Sequence, residues 1–363
     1  AAREALHGFQ GDLFVLFGDT PFLRPETLDA IRTARDAADI VVLGFEATEP
    51  GRYGRLVTAP DGTLEAIVEA KDATPRQLAV RACNSGVMAG DCATLLRLLE
   101  SVGNANAQGE YYLTDVVALA RAEGLTSRVV LCDEAETLGI NDRVQLAEAE
   151  AIFQARARRE AMLAGATLVA PGTVFFSLDT RLGQDVVVHP NVVFGPGVTV
   201  ADGAEIRSFC HLEGAEVGPG VQVGPFARLR PGTRLAAGSR IGNFVEVKNA
   251  RVGQGAKVNH LSYIGDASLG AKVNIGAGTI TCNYDGFAKH RTEIADGAFI
   301  GVNTALVAPI TVGAGAYVGT GTVLTRDVPA DALAIARAPQ ENRLGFASRL
   351  REKFMARKNK KAG

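Results

Sequence analysis

The sequence predicts a Rossmann-like α/β domain followed by a left-handed parallel β-helix of hexapeptide repeats, and three features carry that prediction. Short apolar runs alternate with helix patterns over residues 1–143. A stretch rich in Ala, Glu, Arg and Leu, without Gly or Pro, occupies the linker at 144–164. From 165 to 339 aliphatic residues recur every six positions, with Gly, Asn or Asp in the turns between them.

Within 1–143, residues 12–16 form an apolar run that ends at Gly18 and Asp19, and the segment from Pro25 reads as the start of a helix. The runs at 39–45, 64–69 and 129–131 are further strands. A nucleotide-binding sheet normally opens with a strand and a Gly-rich turn, and neither precedes Ala1. The expectation is therefore that the start of this domain is missing.

The hexads keep phase through Val217, Val223, Leu229, Leu235, Ile241 and Val247, and again through Ile294, Ile300, Leu306, Val312, Val318 and Leu324. The phase slips by one residue after Val247 and after Ile264, and the pattern breaks from Cys282 to Glu293. A period of six fits neither an amphipathic helix nor an alternating strand. It fits a triangular coil, with three hexads per turn and an aliphatic residue pointing inward from each side. Residues 340–363 read as helical and basic, with Arg349, Arg351, Lys353, Arg357, Lys358, Lys360 and Lys361. The last six are read as a solvated tail, with help in holding an anionic cofactor as the alternative.

A net charge of -2, from 38 basic and 40 acidic residues, argues against a nucleic-acid-binding surface. Cys83, Cys92, Cys132, Cys210 and Cys282 lack C-x-x-C spacing, so neither a zinc site nor a disulfide framework is expected, and a cytoplasmic location fits. No secretion signal and no stretch of the ~18 apolar residues needed to cross a bilayer is visible, so no membrane partner is expected.

The candidate chemistry gathers in 242–248, 259–266 and 274–285. In a coil of ~18 residues, side chains of successive turns stack, which puts Lys248, His260 and Asn274 within reach of one cleft. An ordinary imidazole, with pKa ~6.5, suits removal of a proton from an amine during acyl transfer. Arg230 and Lys248 supply positive charge for a phosphate, and Tyr263, Asn274 and Asn283 supply directional hydrogen bonds for a sugar. Each residue alone reads as coil-surface polarity; the set together favours catalysis. A zinc-dependent hydratase would need a second histidine about five residues from His260, and positions 255 and 265 are glycine. An oligomerisation platform and a non-catalytic scaffold stay open as alternatives.

The segments FARLRPGTRL (226–235), IGNFVEVKNA (241–250), NHLSYIGDA (259–267) and NIGAGTITCNYDG (274–286) resemble the acetyltransferase domain of a bacterial bifunctional family. That family comprises the glucosamine-1-phosphate acetyltransferase / N-acetylglucosamine-1-phosphate uridylyltransferases. FGDTPFLRPETL (17–28), YGRLV (53–57), IVEAKDAT (67–74), CNSGV (83–87) and GINDRVQLAEAE (139–150) are similar to the later part of its nucleotidyltransferase domain. The resemblance implies that His260 is the general base on glucosamine 1-phosphate, with Arg230 and Lys248 on its phosphate and Tyr263 and Asn274 on the sugar. It implies an acetyl-CoA path along Ala277, Asn283, Tyr284, Val302, Thr320 and Arg337. Val302 replaces the family's common serine, so any contact through that hydroxyl is lost or passes to backbone.

For the nucleotidyl site the resemblance assigns Asp19 and Asn141 to Mg²⁺, and Phe17, Gly18, Asp19, Gly54, Glu69, Asn84 and Asn141 to UTP or UDP-N-acetylglucosamine. The family's Gly-rich, Arg-bearing phosphate loop is not among these residues, which ties uridylyl transfer to the intact parent protein. A homotrimer with shared acetyltransferase sites is also implied.

Overall fold

The computed structural model describes residues 2–104 and 109–359, and the chain divides into two compact units, Ala1–Ala151 and Ile152–Gly363. The first unit is built on a mixed sheet. Its strands run in the order Leu64–Val68, Arg55–Thr58, Ala82–Asp91, Ile40–Glu46, Ser127–Cys132, with Asp12–Val15 added against Ala82–Asp91. Ile40–Glu46 pairs parallel with Ser127–Cys132 and antiparallel with Ala82–Asp91. Its sequence IVVLGF has no polar side chain because the strand is covered on both faces. Ile40 and Val42 pack with Leu95, Leu98, Val116 and Val117, from the helices Cys92–Glu100 and Asp115–Ala122. Val41 and Leu43 pack with Ile31 of the helix Pro25–Ala34. Alternate residues of a strand point to opposite faces, so one strand serves both layers.

The linker forms the helix Arg143–Leu163 as its composition predicts. In the second unit its Gln154 clamps the first coil: Nε2 donates to the Phe176 carbonyl at 2.7 Å and Oε1 accepts from the Phe176 N–H at 2.9 Å. Arg158 Nε adds a bond to the Val174 carbonyl at 2.8 Å.

From Thr167 to Ala334 the chain is the left-handed parallel β-helix that the hexads predict, with three sheets of eight, eight and ten strands. Each strand pairs in parallel with the strand one coil away, so like positions stack. Leu229, Val247 and Ile264 form one internal column, and Leu235, Val252 and Leu269 another. Ile241, Val258 and Ile275 form the third. All nine are nearly inaccessible to water. The phase slips fall at corners, where Asn249 and Asp266 take positive φ (44° and 48°).

The terminal helix starts later than its basic pattern predicts. It spans Phe346–Asn359, while Gln340–Leu344 is not helical. Gly345 sits at φ 74°, outside the right-handed helical region, and the helix starts directly after it. Every residue of this helix is exposed; Lys360 and Lys361 lie outside the described residues. No helix among the described residues is long and apolar enough to cross a membrane.

Candidate functional site

In the β-helix, register and not sequence distance decides which residues stack. Asn243 is the cross-strand partner of His260. The Lys257–Asn274 and Asn274–Phe299 pairings carry the same corner on to Ala277 and Val302, and the Phe299–Tyr317 pairing carries it to Thr320. Backbone bonds bind this corner coil to coil: Leu261 N–H to Asn243 O (3.0 Å), Asn303 N–H to Ala277 O (2.8 Å) and Gly321 N–H to Val302 O (2.8 Å). Arg337 Nη1 ends the column on the Thr320 carbonyl at 2.6 Å. Four sequence-predicted residues (His260, Ala277, Val302, Thr320) thus occupy one corner, ~14 Å long at the usual strand spacing, with Arg337 at its end.

The sequence put Lys248, His260 and Asn274 within reach of one cleft through the stacking of successive turns, and the register stacks none of the three directly on another. Lys248 pairs with Gly265, while Asn274 pairs with Lys257 and lies on the face next to the corner. His260 lies 12 residues from Lys248 and 14 from Asn274, short of the 17-residue coil step here, so each of the three falls at a different position round the coil.

Sequence reasoning missed Asn243. Its Oδ1 lies 2.7 Å from His260 Nδ1. An amide oxygen only accepts, so the proton belongs on Nδ1 and Nε2 is left with its lone pair. Asn243 lies in the motif 241–250, but only the 17-residue offset shows that it faces His260.

A cationic group forms on the neighbouring face. Arg230 Nη1 is held by Glu246 Oε1 at 2.8 Å, and that hydrogen bond pushes the Arg230 pKa up. Lys248 lies against Lys289, a second missed residue, and the contact and repulsion between them lower the Lys248 pKa. Two ammonium groups and a guanidinium brought this close leave positive charge that a phosphate dianion neutralises.

Lys289 belongs to the segment that interrupts the hexads. It is an ordered turn: Asp285 Oδ1 accepts from the N–H groups of Ala288 (2.7 Å) and Phe287 (2.8 Å), and Oδ2 lies 2.7 Å from His290 Nε2. Those bonds, the Ala288 N–H first, hold the Asp285 carboxyl well below the usual range. Asn283 is buried, and its Nδ2 makes a long contact of 3.5 Å with the Tyr263 hydroxyl. Tyr284 is exposed, and its hydroxyl donates to the Gly286 carbonyl at 2.6 Å.

In the first unit two groups of predicted residues converge. A Cβ built on Gly139 would stand 3.8 Å from Asp19 Oδ2 and 3.9 Å from Asn141 Nδ2, so both side chains border one point. A Cβ on Gly54 would stand 3.3 Å from Glu69 Oε1 and 3.6 Å from Asn84 Cβ. Asn84 Oδ1 accepts from the Gly86 N–H at 3.0 Å, and the Phe17 ring covers Gly86 so closely that a side chain there would collide with it. Burial, followed by Asp72 and Asp115, pushes the Glu69 pKa up. Gly18, beside Phe17, has open space at its Cα. A cleft of about 290 Å³ runs along Tyr53, Thr137–Asn141, Gln145, Glu148 and Ala149. Among the described residues no three His, Cys, Asp or Glu side chains gather as a metal cage. Asp19 and Asn141 offer one carboxylate and one amide, a set that suits a hard cation taking its other ligands from phosphate and water.

The family model for the bacterial transferase hexapeptide (six repeats) matches residues 179–214. Among solved structures, LpxA from Acinetobacter baumannii aligns over 51% of this chain and 77% of its own, at 14% identity and a TM-score of 0.40. The curated relatives match along the whole sequence. The bifunctional protein GlmU of Jannaschia sp. (strain CCS1) is 56% identical over 99% of this chain and 79% of its own length. GlmU of Cereibacter sphaeroides is 61% identical over 98% of this chain and 78% of its own. GlmU of Paracoccus denitrificans is 59% identical over 98% and 79%. At that identity, sustained through both units, the chain belongs to the GlmU family of bifunctional proteins.

Proposed function

We propose that the β-helix unit transfers the acetyl group of acetyl-CoA to the amino group of glucosamine 1-phosphate, giving N-acetylglucosamine 1-phosphate. The observation that carries this reading is the corner column Asn243, His260, Ala277, Val302 and Thr320 at one edge of the prism face that holds Tyr263, with the cations Arg230, Lys248 and Lys289 at its other end. The amine attacks the thioester carbonyl, a C–N bond forms, the C–S bond breaks, and the thiolate leaves as the CoA thiol after taking a proton. His260 Nε2 takes the proton lost by nitrogen, and Asn243 keeps the ring in the tautomer that allows it. The cations bind the phosphate, Tyr263 and Asn274 contact the sugar, and Asn283 and Tyr284 meet the acetyl-CoA. The column guides the pantetheine arm toward Arg337, which meets a CoA phosphate.

The mixed-sheet unit belongs to the centre at which the full-length family protein transfers a uridylyl group from UTP to that product. The result is UDP-N-acetylglucosamine, a precursor of peptidoglycan and lipopolysaccharide. Asp19 and Asn141 would hold Mg²⁺, which neutralises phosphate charge when bound, while Phe17, Gly18, Gly54, Glu69 and Asn84 hold the nucleotide sugar. Such an enzyme works in the cytoplasm, where acetyl-CoA and UTP are made.

The reading includes a homotrimer. Phe209, Phe226 and Phe244 stack at 4.8 and 5.1 Å along one corner, with Leu261 continuing the ridge. All four are about half exposed, and Phe244 and Leu261 directly follow Asn243 and His260. An apolar ridge of this kind beside a catalytic residue suits a subunit boundary. Release of free thiol from acetyl-CoA, followed with glucosamine 1-phosphate and with unphosphorylated glucosamine, tests the activity. Turnover is expected only with the phosphate, and no thiol release with either sugar rejects the reading.

A further inference from the structure

Asp266 stands outside every role assigned above, yet more of the site hangs from it than from any other buried charge. It is 6% exposed and sits at a corner with φ 48°. Its Oδ1 accepts from Asn249 Nδ2 at 2.6 Å, and its Oδ2 accepts from Asn283 Nδ2 at 2.5 Å. Its N–H donates to the Lys248 carbonyl at 3.0 Å, and its own carbonyl accepts from the Thr292 N–H at 3.1 Å. The interrupting turn leaves the coil at Cys282 and returns at Thr292. Asp266 therefore grips both ends of the turn that carries Lys289, by its side chain at Asn283 and by its backbone at Thr292.

From this geometry we propose that Asp266 is a positioning residue of the acetyltransferase site: its buried carboxylate fixes Asn283 and the Lys289-bearing turn, and balances the charge of Lys248 and Lys289. The proposal rests on the reading of this site as an acetyltransferase centre. The carboxylate suits the task because both donors facing it are amide NH₂ groups, which need an acceptor on each oxygen. Burial drives its pKa up, but the bonds from Asn249 and Asn283 and the charges of Lys289 and Lys248 outweigh burial and hold it below the usual carboxylate range. It stays an anion, and in turn it favours the charged form of Lys248.

Asp266→Asn keeps the shape but turns one oxygen into a third NH₂ group facing its neighbours. Steady-state acetyl transfer in the purified full chain should show the KM for glucosamine 1-phosphate raised about tenfold or more, the scale of one lost charge-assisted contact. The alkaline limb of kcat/KM for the sugar phosphate should move to lower pH, because Lys248 has lost its anion. A residue that only supported the fold would leave that limb in place. In an Asn283→Ala background the same substitution should cost much less, since the two act through one contact. Asn249→Ala removes the exposed arm of the cradle and should raise the same KM by a smaller factor; it serves as the readout if Asp266→Asn does not fold. A KM within about twofold of the parent and an unmoved alkaline limb in the folded variant overturn the proposal and leave the acetyltransferase reading standing. A parent chain that releases no thiol overturns both.

Discussion

The bond between His260 Nδ1 and Asn243 Oδ1 decides what the other ring nitrogen can do, and the chemistry proposed at this corner depends on it. His260→Ala is expected to lower acetyl transfer about a hundredfold or more, the usual scale of a positioned general base, with the unfolding midpoint little changed because the ring is exposed. Stopped-assay kcat beside a thermal melt checks this, and near-normal turnover in the folded variant would take His260 out of the mechanism. Asp266 makes a prediction about stability. Its folded pKa is depressed, so it stabilises the fold at pH values above the ordinary carboxylate pKa of ~3.9, and that contribution disappears as pH falls through the folded value. The gap in melting temperature between the parent and Asp266→Asn should shrink steadily as pH is lowered toward that range; a gap independent of pH would show that the carboxylate's charge is not what stabilises. At this scale the sequence nominates candidates where a residue type implies its chemistry, as with His260 and Arg230. It was unreadable where a residue matters through its partner. Asn243, Asp266 and Lys289 look like ordinary coil-surface residues until register sets them against His260, Asn283 and Lys248.

The corner slips tie the site to its element. At Asn249 and Asp266 the coil loses a residue, and the two side chains meet in a hydrogen bond. The six-residue period was legible because each inward aliphatic residue is unavoidable: the prism has no other core. The gap at Thr281 shows why the period stops there. Thr281 points inward where an aliphatic residue is expected, and its hydroxyl accepts from the Gly265 N–H at 2.8 Å, taking the place of a backbone partner where the turn departs. The first unit was legible as alternating strands and helices, but the antiparallel insertion of Ala82–Asp91 was not, since pairing partners leave no mark on a strand's own pattern. Ile264 sits in the coil that carries His260 and Tyr263 with no exposed surface, stacked on Val247. Ile264→Ala is expected to cost about 2–5 kcal/mol, the range for emptying a packed core site. Denaturant unfolding of the β-helix checks this, and a loss well below that range would mean that neighbouring coils collapse to fill the space.

A single triangular prism presents flat faces and open corners, and the His260 column is such a corner. A ligand as long as acetyl-CoA gains little by lying along an open edge, because binding sites bury most of their ligand between walls. The missing wall is supplied if a second copy docks on the ridge of Phe209, Phe226, Phe244 and Leu261, which adjoins the column and otherwise leaves four large apolar side chains in water. Rings stacked on successive coils lose little side-chain freedom on association, which favours such a ridge as an interface. The turn of residues 283–291 stands out from the prism with Phe287 almost wholly exposed, placed to reach across a boundary. If each site draws His260 from one subunit and Asn283 from its neighbour, two impaired chains complement each other. His260→Ala and Asn283→Ala chains, denatured together and refolded, should recover more of the parent acetyl transfer than either chain refolded alone. In a random mixture, some boundaries pair an intact His260 with an intact Asn283. Sedimentation of the mixture establishes that mixed trimers form. Recovery then places the site between subunits, whereas mixed trimers without recovery place both residues on one chain, and an active monomer removes the trimer from the mechanism.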